Sequence, residues 1–161
     1  DNNAQKQKKI QETTSNKTTS VIKIRELDVP KGLKYIGDFL TKQEEKDLIS
    51  KIDAQEWSNQ LKRRVQHYGY LYDYKNRVID QSMKTKDIPE WVNFAVERLT
   101  ELGIYPKDKK PDQLIINEYE PGQGISFHVD KVDQFEGTIV SISLGCTVPM
   151  DFKNKETSQL K

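Results

Sequence analysis

The chain has 161 residues, with 26 Lys and Arg against 25 Asp and Glu, and only 34% of it is hydrophobic. That length fits one domain with a modest core, and no apolar run approaches the roughly eighteen residues that a membrane helix needs. The single cysteine, Cys146, excludes an internal disulfide and suits a reducing, intracellular setting; at the end of an apolar run it reads as a packed thiol.

Residues 1–20 are dominated by Asn, Gln, Lys, Ser and Thr, too poor in apolar side chains to offset the cost of ordering. A disordered tail is expected there, with the folded domain in residues 21–161. Residues 21–27 alternate as a short edge strand, and residues 32–40 read as a second. Thr41-Lys42-Gln43-Glu44 has the form of a capping box, opening a helix that buries Leu48, Ile49 and Ile52 and ends near Asp53. Trp57 is expected to pack beneath it. A second helix begins near Pro89 and carries Val92, Val96 and Leu99 at helical spacing. Trp91 and Phe94 add bulk to its buried side, and Gly103 serves as a left-handed terminator. Leu114 to Tyr119 reads as a strand, Pro121-Gly122-Gln123-Gly124 as a turn, and residues 138–144 as a further strand.

Residues 60–86, between the helices, hold seven Lys or Arg and two Asp, whereas residues 87–161 hold eight basic and thirteen acidic residues. Opposite fields of this kind suit a basic face for a polyanion beside an acidic region. Tyr68, Tyr70, Tyr72 and Tyr74 alternate, so an extended chain presents four phenols to one side. Such a surface stacks bases, at about 1–3 kcal/mol per base. Lys62, Arg63, Arg64, Lys75 and Arg77 flank it and suit phosphates. A tyrosine-rich strand half-buried against a helix accounts for the same pattern equally well.

His128 and Asp130 stand two apart. In a strand, residues i and i+2 share a face, roughly 6.6 Å apart along the chain, so an imidazole and a carboxylate can pinch one metal ion. Alone, a His-x-Asp is a weak signal. Asn117 and Tyr119 repeat the spacing upstream, and an amide and a phenol can both donate hydrogen bonds to an acid. Core polar residues satisfying nearby backbone are the other reading. His67, the second of two histidines, reads as a hydrogen-bonded side chain rather than a ligand.

Taken together, Asn117-x-Tyr119-x-x-Gly122, His128-x-Asp130 and Ile142-Ser143-Leu144-Gly145, with the upstream run Arg63-Arg64-Val65-Gln66-His67-Tyr68-Gly69-Tyr70-Leu71-Tyr72-Asp73-Tyr74, resemble the AlkB-type 2-oxoglutarate- and Fe(II)-dependent dioxygenases. The resemblance covers residues 32–152. It implies an α+β fold with a double-stranded β-helix, or jelly roll, buttressed by the N-terminal helices. It implies Fe(II) on His128 and Asp130, and 2-oxoglutarate on Asn117 and Tyr119. Residues 60–86 become a nucleotide-recognition lid, with Tyr70, Tyr72, Arg63 and Arg64 meeting nucleic acid.

The implied reaction consumes O2, converts 2-oxoglutarate to succinate and carbon dioxide, and hydroxylates an alkyl group on a nucleobase. Loss of that carbon as an aldehyde makes a repair enzyme, whereas its retention makes a tRNA base hydroxylase. A monomer is expected. The family's second histidine ligand and its 2-oxoglutarate-binding arginines lie downstream of the matched motifs, and neither has a counterpart before Lys161. The chain is therefore expected to be a partial domain whose last strands are missing, or a degenerate product. Weak Fe(II) binding and no appreciable turnover are expected of the 161 residues alone, and an inert nucleic-acid-binding module is the rival reading.

Overall fold

The computed structural model describes residues 23–25, 30–76, 78–79 and 81–158. The tail expected to be disordered, residues 1–20, lies outside them, as do both ends of the first expected strand.

Strand β1 (Lys23–Arg25) pairs antiparallel with β2 (Tyr35–Gly37), Ile24 opposite Ile36. The second strand is shorter than the sequence pattern suggests. Asp38, at φ 54, leaves the extended region immediately after Gly37 and ends the ladder.

Helix α1 (Lys42–Asp53) begins at the capping box. The Thr41 hydroxyl accepts from the Glu44 amide at 3.2 Å, and Glu44 Oε2 accepts from the Thr41 amide at 2.8 Å. Of the expected stripe, Leu48 and Ile52 are buried and Ile49 is half-buried. Helix α2 (Asn93–Glu101) follows a single 3-10 turn over Glu90–Val92 and stops before Gly103, at φ 68. Its buried residues are Leu99 and Ala95, with Val96 only half-buried. Arg98 ties the helices together. Its guanidinium donates twice to the Glu44 carboxylate, at 2.6 and 3.1 Å, and also to the Phe39 carbonyl. That charge-assisted fork holds the Glu44 pKa down to about 2.

Strands β3 (Val65–Tyr68) and β4 (Leu114–Asn117) form the second antiparallel pair, with Val65 opposite Asn117 and His67 opposite Ile115. This register assigns the faces, because directly opposed residues share a side. Gln66 and Tyr68 turn toward the helices. Gln66 donates to the Ile52 carbonyl at 2.9 Å and accepts from the Tyr68 hydroxyl at 3.0 Å, which satisfies a buried amide. The Tyr68 ring meets Trp91 edge-on, 6.3 Å between centroids. The other face carries His67, Ile115 and Asn117.

After β4 the strand expected at residues 138–144 does not form. Residues 118–158 contain no helix and no extended ladder. The apolar alternation at residues 138–144 is present, but a strand also needs a neighbour to take its N–H and C=O groups. Among the described residues none lies beside it, and Ile139 stays 62% exposed. Cys146 is exposed rather than packed, for the same reason. No helix among the described residues is long and apolar enough to cross a membrane.

Candidate active site

The β3–β4 pairing runs past its formal end. The Glu118 amide donates to the Arg64 carbonyl at 3.1 Å, which sets Arg63 across from Tyr119. Arg63 Nε donates to Asn117 Oδ1 at 2.8 Å. Its guanidinium carbon lies 5.6 Å from the Tyr119 ring centroid and 5.8 Å from that of Tyr74, within cation–π range of both. Tyr74 in turn shares a 3.0 Å hydrogen bond with His67 Nε2. Burial lowers the His67 pKa, with the Arg63 charge adding to the effect, and burial raises that of the Tyr74 phenol. Asn117 and Tyr119 thus do share a side, and one cation touches both.

The four alternating tyrosines do not form one surface. Gly69 adopts φ +80, which breaks the strand between Tyr68 and Tyr70. Tyr68 consequently belongs to the helix side, while the later three stand on an irregular hairpin. That hairpin is held by Gly69 N–H to the Lys86 carbonyl at 2.7 Å, Leu71 N–H to Met83 at 2.9 Å and Asp73 N–H to Val78 at 3.0 Å. At its tip the Asp73 carboxylate accepts from the amides of Lys75 and Asn76, reversing the chain. Tyr72 packs edge-on to Tyr74 at 5.1 Å and against Phe135 at 6.3 Å. Tyr70 is half-buried, bridged to Lys84, and lines a cavity of about 270 Å³ with Asp87, Ile88 and Asp112.

Arg64 and Arg63 part company. Arg64 forks onto Glu118, with Nη2 to Oε2 at 2.7 Å, and lies 4.3 Å from the Trp57 ring centroid. Glu118 is held below the usual carboxylate range by that contact. Trp57 is therefore a half-buried platform for Arg64. The Arg64 guanidinium is engaged on the opposite side of the sheet from Arg63.

His128 and Asp130 do converge. The His128 Nδ1–H donates to the Ser126 carbonyl at 2.7 Å, since a carbonyl can only accept. In the neutral ring the lone pair is then on Nε2, which lies 3.7 Å from Asp130 Oδ1. Two atoms bonded to one first-row ion at about 2.1 Å each lie about 3.0 Å apart when cis and up to about 4.2 Å apart when trans, so at 3.7 Å the pair comes within reach of one ion. An imidazole and a carboxylate are two of the three donors in the facial arrangement that non-haem Fe(II) favours, two histidines and one carboxylate. Among the described residues no group of three or more His, Cys, Asp or Glu is placed to hold a metal. Among those residues, too, no hydrogen bond or ion pair joins His128 and Asp130 to the Arg63–Asn117–Tyr119 group. The stretch after the pair docks on the hairpin, where Gln134 Oε1 accepts from the Ile79 amide at 3.1 Å and Phe135 meets Tyr72. Gln134 and Phe135 carry no motif, and only the docking of their stretch on the hairpin brings them in.

The 2OG-Fe(II) oxygenase superfamily matches residues 32–161. The tRNA (carboxymethyluridine(34)-5-O)-methyltransferase alkbh8 of Xenopus tropicalis is 37% identical over 135 residues, 81% of this chain and 21% of that protein. The alkylated DNA repair protein ALKBH8 homolog of Arabidopsis thaliana is 37% identical over 139 residues, 84% of this chain and 40% of that protein. A DNA N6-methyl adenine demethylase of Caenorhabditis elegans is 28% identical over 156 residues, 91% of this chain and 51% of that protein. The chain belongs to the 2OG-Fe(II) oxygenase superfamily and, within it, to the AlkB type. It spans between about a fifth and a half of the length of these relatives. The superfamily implies a jelly roll, and two small two-stranded sheets with two helices are compatible with part of one.

Proposed function

We propose that this chain carries the iron- and cosubstrate-binding part of a dioxygenase that oxidises nucleobases in nucleic acid. The observation that carries the reading is the convergence of His128 Nε2 and Asp130 Oδ1, with the imidazole tautomer fixed by Ser126. His128 and Asp130 hold Fe(II), and Asn117 and Tyr119 donate hydrogen bonds to 2-oxoglutarate. When bound, these groups supply the oxidising power: O2 gives one oxygen atom to succinate as carbon dioxide leaves, and the other to a substrate C–H bond.

The protein positions the base and excludes water. Tyr70 and Tyr72, on the hairpin that follows Gly69, offer aromatic faces to an unpaired or flipped base. Lys62, Lys75 and Lys84 are exposed beside it and suit phosphates. Arg64, already forked onto Glu118, contributes to the sheet rather than to the substrate.

Removal of alkyl groups is the primary reading. Hydroxylation of a tRNA base is the second reading, since proteins named for a tRNA uridine are 37–38% identical, as near as the 37% of a relative named for alkylated DNA repair and nearer than the 28% of the demethylase. The test is to incubate the full-length protein with Fe(II), 2-oxoglutarate and either methylated DNA or tRNA. Formaldehyde release from DNA supports dealkylation, a hydroxylated tRNA base supports the second reading, and succinate formation stimulated by neither nucleic acid overturns both.

A further inference from the structure

Arg63 has a duty that its place in a basic run does not suggest. We propose that Arg63 is a positioning residue that orients Asn117 and Tyr119 toward the cosubstrate, resting on the assignment of that pair to 2-oxoglutarate. A guanidinium can only donate, so the atom of Asn117 that it touches at 2.8 Å must be the carbonyl oxygen. The amide nitrogen then points the other way, with both its hydrogens available to a carboxylate. Left free, the same amide could flip and present an acceptor, which repels an anion.

Tyr119 is held by the same cation from its ring face, 5.6 Å away, which constrains where the phenol points on a side chain 41% exposed. The third contact, to Tyr74, comes from the hairpin, and Tyr74 is anchored in turn by His67. One guanidinium therefore connects both proposed cosubstrate donors to the element proposed to receive the base. The Asn117 bond uses only the Nε–H of the guanidinium, and the two ring contacts fix where the rest of it lies. Its place across the ladder from Tyr119 accounts for these contacts: opposed side chains share a face and lie within reach.

The experiment titrates 2-oxoglutarate into the full-length protein loaded with Mn(II), comparing wild type, Arg63→Ala, Asn117→Ala and the double variant. Arg63→Ala is expected to weaken 2-oxoglutarate binding about tenfold, as loss of an orienting partner does elsewhere. In the Asn117→Ala background the same change should cost about threefold or less, because the amide it orients is gone. Arg63→Lys keeps the charge but lacks the fork and should recover under half of the loss. Steady-state work should show a raised KM for 2-oxoglutarate with kcat changed little. Equal effects of Arg63→Ala in both backgrounds, or full recovery in Arg63→Lys, would overturn the positioning role. Binding unchanged in Arg63→Ala while Asn117→Ala weakens it would do the same and leave the cosubstrate assignment standing. Absence of 2-oxoglutarate binding in the wild type would remove the assignment and the inference together.

Discussion

Gly69 lies against the Asp112 carbonyl so closely that a Cβ built on it would fall 1.9 Å from that oxygen and 2.9 Å from its carbon. Both atoms are backbone, so neither can step aside as a flexible side chain would. The left-handed φ of Gly69 and this approach together turn the tyrosine hairpin away from β3. Gly69→Ala is expected to cost about 3 kcal/mol or more, from strain and overpacking combined. Gly103, at φ +68 with nothing within 4 Å of its Cβ site, is the internal control. Gly103→Ala should cost about 1 kcal/mol, the left-handed penalty alone. Chemical denaturation of both variants checks the order, and equal losses would contradict it.

The Arg98–Glu44 fork predicts an acid limb in the stability curve. Glu44 has a folded pKa of about 2 against an ordinary 4.5, so its contribution is full above pH 4.5 and is lost as pH falls toward 2. Glu44→Gln should flatten that limb. Arg98→Met should remove about 2 kcal/mol at pH 7, the loss of charge-assisted bonds at a part-buried site. Denaturation midpoints between pH 2 and 7 provide the measurement.

His67 should titrate below 6.5, since burial and then the Arg63 charge both disfavour its cation. The unfolded chain binds that proton more readily, so the contribution of His67 is complete above pH 6.5. It declines as pH falls through the lower folded value. Nuclear magnetic resonance of the ring protons reads the midpoint directly. Tyr74→Ala, which opens the ring to water, should raise it, and Arg63→Gln should raise it by less. A wild-type midpoint at or above 6.5 would contradict the buried, neutral ring.

Much of the fold was legible where the chemistry is local. The capping box at Thr41 and Glu44, the stripe of Leu48 and Ile52, and the terminator at Gly103 depend on residues within one or two turns, and all three hold. The closeness of His128 to Asp130 is local too, a matter of two residues of spacing, although no strand carries them. What failed depends on partners far along the chain. Alternation at residues 138–144 signals a strand only if a neighbour lies beside it. The tyrosine run looked continuous because nothing local tells Gly69 which backbone region it will occupy. Arg63 and Arg64 are adjacent in sequence and alike in type, yet the register sends one to Asn117 and the other to Glu118. That register is a property of two strands about fifty residues apart.

The most direct test of the metal assignment is anaerobic titration of Fe(II) into the full-length protein and into its His128→Ala and Asp130→Ala variants. Each substitution is expected to weaken binding at least about tenfold, with the fold retained by circular dichroism. Fe(II) binding of wild-type strength in both variants would show that the imidazole and carboxylate which converge here do not hold the metal.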